Sequence, residues 1–325
     1  MTGKSDRALL ASHPIHLEPR YVERIWGGTR FSTNSRPIGE VWLVHEQNSI
    51  VEGPGKGLTL ADAVASVGEN ILGSRVWATG ERRFPLLVKL IDAREWLSIQ
   101  VHPDDDLALK LEGPGHRGKT EAWYAIECEP AAEIIAGVSE DLSPEALVDT
   151  IRSGQIDSIV KRHPFHAGDV MALPAGTIHA LGPGVLIYEI QQSSDTTYRV
   201  SDWNRPSSAG RELHIEQSVA AADSSFRPRP GQVVETGDGR ATDIVSLPPF
   251  TLQRATITQQ PLLLDMAGER FAIVTLIGGS AHLTYTNGQH ELTRFDTLVL
   301  PAALGSCHVV PHLTAQVLIA WPAIT

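Results

Sequence analysis

Residues 97–121, LSIQVHPDDDLALKLEGPGHRGKTE, begin with the pattern of a β-strand and end on a carboxylate that opens another one. Polar and apolar residues alternate from Ser98 to His102. Because successive side chains of a strand point to opposite faces, Ser98, Gln100 and His102 should share one face. That face points into a barrel if the intervening apolar residues face outward or pack against another layer. Glu121 follows a glycine-rich loop and begins the next apolar run. The segment therefore predicts polar side chains carried by strands into an enclosed space.

The rest of the chain consists mostly of short apolar runs that end at glycine or proline. The sequence has 28 glycines and 21 prolines in 325 residues. The runs cover residues 84–91, 121–128, 170–174, 185–190, 271–277, 290–301 and 315–321. Short strands with frequent turn signals are typical of a β-sandwich or barrel, so we predict a mainly β protein.

Helical patterns are few. Residues 58–75 contain apolar residues three and four apart, and residues 143–159 begin with Ser143 and Pro144, a cap followed by a first-turn proline. Residues 214–222 are a weaker third candidate. We expect the segment from Ser143 to be a small helical insertion between β regions.

A weak internal repeat links residues 168–179, GDVMALPAGTIH, with residues 295–308, FDTLVLPAALGSCH. In both copies an aspartate precedes a Pro-Ala turn and a histidine follows it, an arrangement similar to the second motif of cupin barrels. The second copy lacks the glycine before its aspartate and any upstream His-Glu partners. With a turn-rich stretch near residues 225–245, this predicts a catalytic domain over residues 1–225 and a degenerate cupin-like domain over residues 226–325.

Composition excludes several classes of protein. A formal net charge of −11 disfavours nucleic-acid binding and polybasic membrane attachment. Cys128 and Cys307 are too few and too far apart for a disulfide framework or a CxxC metal site. No stretch approaches the ~20 apolar residues of a membrane span, and the N-terminus lacks the apolar core of a signal peptide. We expect a soluble cytoplasmic protein.

Four residues form a candidate metal site: Gln100, His102, Glu121 and His179. One amide oxygen, two imidazoles and one carboxylate suit zinc or another divalent first-row ion, and leave positions open for water or substrate. A single strand histidine is more often an ordinary hydrogen-bonded residue than a ligand. The ordered set, Gln-x-His, then Glu at a strand start, then His after a Pro-Ala-Gly turn, favours the metal.

Charged residues near these positions suggest further roles. Lys119 precedes Glu121 by two residues and should point the same way, either with a lowered pKa or as an oxyanion binder. Asp195 and Arg199 would face each other if their segment formed a helical turn. Lys89 lies in an apolar strand and must reach solvent, a partner or an anion.

Six segments resemble the type I mannose-6-phosphate isomerases in their short bacterial form: YVERIWGG (21–28), IGEVW (38–42), LVKLIDAREWLSIQVHPDD (87–105), GKTEAWY (118–124), GDVMALPAGTIHAL (168–181) and EIQQSSDTTYR (189–199). The resemblance implies two cupin-type jelly-roll β-barrels with a small helical insertion. It also implies interconversion of mannose 6-phosphate and fructose 6-phosphate by proton transfer through a cis-enediol.

The resemblance also assigns roles to residues. It implies one zinc ion per chain, held at Gln100, His102, Glu121 and His179, with direct ligation by Gln100 left open. It implies that Arg199 is catalytic and that Lys119 and Asp195 line the site. It implies that Lys89 and Ser98 bind the substrate phosphate. The partner is then a small sugar phosphate, and we expect a monomer or a weak homodimer.

Other functions stay open. The chain could isomerise another aldose or aldose phosphate, or be a non-catalytic sugar-binding cupin. A metal-dependent cupin oxygenase usually carries His-x-His where this chain has Gln100 and His102, which argues against that class. The group that moves the proton is also undecided between Lys119, a metal-bound water and Glu189.

Overall fold

A computed structural model describes residues 9–139, 142–205, 211–234 and 237–323 of the chain. These residues form the strands β1 Ile15–His16, β2 Arg20–Gly28, β3 Ile38–Val44, β4 Leu86–Ala93, β5 Ile99–Val101, β6 Glu121–Cys128, β7 Glu133–Val138, β8 Val160–Pro164, β9 Asp169–Leu173, β10 His179–Leu181, β11 Val185–Gln192, β12 Tyr198–Ser201, β13 Gly231–Gln232, β14 Thr242–Leu247, β15 Phe250–Ile257, β16 Leu262–Asp265, β17 Ala272–Tyr285, β18 Gly288–Leu292, β19 Thr297–Leu300 and β20 Ser306–Pro322.

The helices are α1 Leu60–Leu72, α2 Ser74–Ala78, α3 Asp105–Glu112, α4 Pro144–Ser153 and α5 Ile215–Ala221, with 3-10 turns at Ile156–Ser158 and Ala302–Leu304. The prediction of a mainly β protein is confirmed. In the parts of the chain described above, no helix is long and apolar enough to cross a bilayer.

The chain divides into two compact units. Unit 1 draws on Met1–Arg20, Trp42–Leu87 and Val233–Thr325, and unit 2 on Tyr21–Val41 and Val88–Gln232. The division differs from the predicted split after residue 225, because β1 pairs with β19 and so groups the N-terminal segment with the C-terminal strands.

Unit 1 is built on an antiparallel sheet of eight strands. Its main order is β1-β19-β17-β20-β15-β14, with β16 on β20 and β18 on β17. Its core is a continuous apolar cluster that includes Val274, Leu298 and Val317. The run at residues 290–301, predicted as one segment, is two strands, because a turn between them is closed by Asp296, which accepts from the backbone N–H of Thr293 at 2.7 Å.

Unit 2 contains a five-stranded sheet, β12-β5-β10-β7-β8, and most of a seven-stranded sheet, β13-β9-β6-β11-β4-β2-β3. One apolar cluster joins residues of both sheets, among them Ile134 and Leu181 from the first and Trp123 and Ile187 from the second. Burying each such side chain contributes about 1.5–3 kcal/mol. The two sheets therefore pack against each other, and side chains that share these faces point into unit 2.

The other face of the five-stranded sheet is covered by helices. Ile99 and Val101 of β5 belong to a cluster with Leu147 and Ile151 of α4. Because side chains alternate along a strand, Gln100 must then face the seven-stranded sheet. Ile99 and Val101 thus pack against another layer, which is one of the two arrangements that would turn Gln100 inward.

The predicted helices are present, and their ends follow the capping rules. Ser143 accepts from the backbone N–H of Ala146, and Gly154 ends α4 with a φ of +72°. Thr59 and Asp62 form a capping box at the start of α1. Helix α3 was not predicted, although Asp104 caps it in the same way by accepting from Leu107.

Both copies of the internal repeat form a strand, a Pro-Ala turn and a second strand. In unit 2 they are β9 and β10, and in unit 1 they are β19 and β20. The trailing histidines differ in environment, since His179 is 1% exposed whereas His308 is exposed. Only the first copy therefore places a histidine in an interior.

Candidate metal centre and active site

Three side chains that are distant in sequence meet inside unit 2. Ligand atoms of His102, Glu121 and His179 all lie within 4.8 Å of one another, and all three residues are buried. His102 Nε2 is 3.4 Å from Glu121 Oε2, and His179 Nε2 is 3.2 Å from Glu121 Oε1. The two imidazoles therefore flank a single carboxylate.

Strand ends bring these residues together. His102 follows β5, Glu121 opens β6 and His179 opens β10. Gln100 of β5 pairs directly with His179 across the five-stranded sheet. Glu121 lies on the other sheet, opposite Leu173 of β9. The triad thus spans the two packed sheets.

Hydrogen bonds to the backbone fix both rings. His102 Nδ1 is 3.0 Å from the carbonyl oxygen of Thr196, and His179 Nδ1 is 2.8 Å from that of Thr177. A carbonyl oxygen only accepts, so each Nδ1 carries the proton and each Nε2 has its lone pair free to act as a ligand. This is the usual orientation of metal-ligating histidines.

Glu121 completes the donor set. Both of its carboxylate oxygens are buried and accept no hydrogen bond of good geometry from the described residues, although Lys119 Nζ forms an ion pair with Oε2 at 3.0 Å. A tetrahedral ion with bonds of about 2.0–2.2 Å separates neighbouring ligand atoms by about 3.4 Å, close to the two distances above. An ion of this kind would also satisfy the carboxylate, so the residues fit a zinc-like metal.

Gln100 contacts this group through its amide nitrogen. Its Nε2 lies 3.2 Å from His179 Nε2. As placed, Gln100 donates a hydrogen bond to the triad and does not present its oxygen to it. The triad alone therefore provides the three best-placed ligands.

Lys119 lies beside the triad, as its spacing from Glu121 predicted. Its Nζ is 3.0 Å from Glu121 Oε2 and 3.2 Å from His102 Nε2. Burial would raise the pKa of the Glu121 carboxyl, but Lys119 and the two histidines together hold that pKa well below its ordinary range. Burial, and then Lys119, lowers the pKa of His102 to about 3. At neutral pH the carboxylate is charged and the His102 ring is neutral, as ligation requires.

A cavity of about 510 Å³ in unit 2 has Gln100 and Lys119 in its wall. Most of the other predicted site residues also line it, namely Lys89, Ser98, Asp195 and Arg199. The structure therefore brings every predicted site residue either into the triad or into this wall.

Lys89 is held by buried acceptors within the cavity wall. Its Nζ lies 3.1 Å from Glu189 Oε1 and 2.8 Å from Gln191 Oε1. Trp123 Nε1 donates to Glu189 Oε2 at 3.1 Å. Burial would lower the pKa of Lys89, but Glu189 and other nearby carboxylates raise it overall, so the lysine is charged. Of the possibilities that the sequence left open for Lys89, the structure shows an anion within the protein, the Glu189 carboxylate. The cavity lies beside this pair.

Arg199 is held by two residues that follow it in the chain, Glu212 and His214. Its Nη1 donates to the carbonyl oxygen of Glu212 at 2.7 Å, and its backbone N–H donates to His214 Nδ1 at 3.2 Å. Its Nε is buried without a hydrogen-bond partner among the described residues. Burial lowers the pKa of Arg199. A guanidinium in this setting is poised to meet negative charge in the cavity.

Comparison with known proteins identifies the family. The catalytic-domain model of type I phosphomannose isomerase matches residues 15–130. The chain is 36% identical to a probable mannose-6-phosphate isomerase from Bacillus subtilis, over 90% of this chain and 95% of that protein. It is also 36% identical to the mannose-6-phosphate isomerase of Streptococcus mutans, over 91% of this chain and 94% of that protein. The chain belongs to the type I mannose-6-phosphate isomerases.

The fold agrees with this membership. The crystal structure of mannose 6-phosphate isomerase from Bacillus subtilis superimposes with a TM-score of 0.82 at 34% identity, covering 94% of this chain and 99% of that one. The predicted family and its cupin-type fold are confirmed. In this member of the type I mannose-6-phosphate isomerases, the buried triad and the cavity lie within unit 2.

Asp195 and Arg199 of this isomerase family member do not meet the condition under which they would face each other. They share no helical turn, because β12 begins at Tyr198 and pairs with β5. Asp195 is exposed at the cavity wall, whereas Arg199 is extended beside Gln100. The two side chains therefore act on the cavity from separate positions.

Several charged residues of the wall were missed. Arg24 binds Glu40 through two hydrogen bonds of 2.9 and 3.2 Å, and Arg211 binds Asp202 through two of 2.6 and 2.7 Å. Both arginines and Glu40 line the cavity, as does His214. Glu40, in the otherwise apolar β3, was a signal in the sequence, since a carboxylate in a buried strand needs a cationic partner.

Proposed function

We propose that this protein is a zinc-dependent aldose-ketose isomerase that interconverts mannose 6-phosphate and fructose 6-phosphate in the cytoplasm. The observation that carries the proposal is the buried Glu121 carboxylate between two oriented imidazoles, next to a polar cavity of sugar-phosphate size. The names of the relatives supply the substrate.

His102, Glu121 and His179 would hold the zinc ion, with Gln100 as the fourth candidate. When bound, the ion supplies positive charge that stabilises negative charge on the substrate's C1 and C2 oxygens. The protein orients the ligands beforehand through the two Nδ1 hydrogen bonds, so little reorganisation accompanies the reaction.

Isomerisation moves a proton between C1 and C2 of the open-chain sugar through a cis-enediol. Lys119 and Glu189 are protein groups of the cavity wall that can carry this proton. Glu189 already receives a hydrogen bond from Trp123 and an ion-pair contact from Lys89. Lys119 is likewise paired, with the Glu121 carboxylate, so the two groups stay alternatives for this role.

Arg199 stabilises the charge that develops on the enediol oxygens, because its guanidinium lines the cavity and keeps a buried Nε to offer. Asp195, exposed at the wall, assists ring opening by taking the proton of the C1 hydroxyl. Ser98 and Lys89 bind the phosphate, with Ser98 as a buried hydroxyl and Lys89 as a buried cation.

An assay with solvent deuterium tests both the substrate and the reaction path. Purified metal-loaded protein is incubated with fructose 6-phosphate in D₂O, and the products are analysed by NMR. We expect mannose 6-phosphate with deuterium at C2, because the enediol path exchanges with solvent. Product without deuterium would argue against this proton-transfer path. Turnover only to another aldose phosphate would replace the substrate assignment, and no turnover would indicate a binding protein.

A further inference from the structure

A second group of metal-binding side chains lies in unit 1, apart from the cavity residues. Ligand atoms of His16, Glu52 and His290 lie within 4.8 Å of one another. His16 Nδ1 is 3.0 Å from Glu52 Oε1, and His290 Nδ1 is 3.4 Å from the same oxygen. The two rings stand nearly perpendicular, with centroids 5.3 Å apart and an angle of 84° between their planes.

A single histidine–glutamate hydrogen bond does not explain this arrangement. A surface histidine paired with a glutamate needs only a single ring, and here two rings from separate segments turn Nδ1 toward one oxygen. One of the two nitrogen–oxygen distances matches the separation of about 3.4 Å between neighbouring ligands of tetrahedral zinc, and the other is shorter, at 3.0 Å. Two imidazoles and a carboxylate are also the donor set of many zinc sites.

Backbone pairing holds the three side chains in place. His16 lies on β1, and its carbonyl oxygen accepts from the backbone N–H of Val51 at 3.0 Å. Glu52 is the next residue after Val51, so it is positioned opposite β1. His290 lies on β18, which pairs with β17. A site built on paired strands loses little conformational entropy when it binds an ion.

The local charges favour a cation. The side chains of His16 and His290 are 25% and 21% exposed, so an ion could enter and still be partly desolvated. Glu52 supplies the negative charge.

We infer that His16, Glu52 and His290 form a second binding site for a divalent first-row transition ion of the zinc class. By joining β1, the loop at Glu52 and the hairpin of β17 and β18, the bound ion would act as a clamp within unit 1. This site is additional to the single zinc ion of the proposed active site and needs no contribution from it.

A similar group, His282, Glu291 and His312, provides the matched control. His312 Nε2 is 2.9 Å from Glu291 Oε2, but these two residues are exposed. An ion held there would be more exposed to solvent water than one held at His16, Glu52 and His290. Removing its histidines changes the same residue types on the same sheet without touching the inferred site.

The test counts metal ions on the full chain, expressed without a histidine tag. The protein is stripped with chelator, dialysed against a low-micromolar excess of Zn²⁺ and analysed by mass spectrometry, with Co²⁺ absorption as a second readout. Wild type should bind two equivalents. The H16A/H290A variant, and separately E52Q, should bind one equivalent and keep isomerase activity, whereas H282A/H312A should still bind two.

Several results would overturn the inference. Binding of one equivalent by wild type would exclude the site. Equal stoichiometry in wild type, H16A/H290A and E52Q would place any second ion elsewhere, and a loss confined to H282A/H312A would place it at the control group. If H16A/H290A fails to fold, E52Q decides the question, because this residue is exposed.

Discussion

Lys89 Nζ lies 3.1 Å from Glu189 Oε1, and the two side chains are only 5% and 4% exposed. Gln191 accepts from the same ammonium, and Trp123 donates to the same carboxylate. A buried ion pair is stable only when its remaining hydrogen-bonding capacity is met, and these neighbours meet it. The pair therefore sets the shape and charge of the cavity wall that both residues line.

Breaking this pair should destabilise the protein strongly. Lys89→Met leaves the Glu189 carboxylate buried without its cation, and we expect a loss of about 3–5 kcal/mol in the free energy of unfolding. Adding Glu189→Gln should recover part of that loss. Urea denaturation measures both, with Lys56→Met, at an exposed position, as the control. A single variant as stable as wild type would show that the pair is not formed.

The phosphate role of Ser98 predicts a change in specificity. Ser98→Ala removes a buried hydroxyl from the cavity wall. We expect KM for fructose 6-phosphate to rise about tenfold, because the lost hydrogen bond contributes about 1 kcal/mol to binding. The value of kcat should change little. Binding of free fructose, measured by competition, should be unaffected. If both ligands weaken equally, Ser98 contacts the sugar and not the phosphate.

Arg199 should act on the reaction rather than on the metal. Arg199→Ala removes the guanidinium that faces the developing negative charge, and we expect kcat to fall by about 10²–10³. Metal content should stay at the wild-type level, because Arg199 is not part of the triad. Arg199→Lys, which keeps the charge but loses the fork, should recover only part of the rate. Near-normal turnover in Arg199→Ala would remove this residue from the mechanism.

Acid should destabilise the metal-free protein through His102. The pKa of this histidine is lowered to about 3 in the fold and is about 6.5 when unfolded. Between these values the unfolded chain binds a proton that the folded chain does not, so stability falls as pH decreases from 6.5 toward 3, by up to ~1.4 kcal/mol per pH unit.

Comparison with His102→Gln isolates this contribution. The variant has no titrating ring at this position, so its free energy of unfolding should fall less steeply over the same pH window. Urea denaturation at several pH values in the presence of chelator provides the measurement. Parallel pH profiles for the two proteins would mean that the His102 ring is not buried in its neutral form.

Much of the site followed from strand periodicity and spacing. Alternation along β5 placed Gln100 on the inner face, and a two-residue offset placed Lys119 beside Glu121. The family resemblance was needed to join these strands with His179, because sequence spacing does not reveal which strands become neighbours. The same limit explains why Arg24 and Arg211 were missed, since their roles depend on partners, Glu40 and Asp202, whose spatial position no local pattern encodes.

The sequence says less where tertiary pairing overrides local pattern. The spacing of Asp195 and Arg199 suited a helical turn, but pairing of β12 with β5 holds the second residue extended. Helix α3 has an aspartate cap and acidic first turn that could have been read from the sequence. The grouping of β1 with the C-terminal strands could not have been read from the sequence, because β1 and β19 lie far apart in the chain.

The most direct test is to strip the metal and restore it while following fructose 6-phosphate isomerisation. Chelated wild type should be inactive, zinc should restore activity as the ion binds, and Glu121→Gln should neither bind this ion nor recover, whereas Glu69→Gln, at an exposed position, should behave as wild type. Full turnover by metal-free protein, or zinc-restored turnover in Glu121→Gln, would contradict a metal centre built from His102, Glu121 and His179.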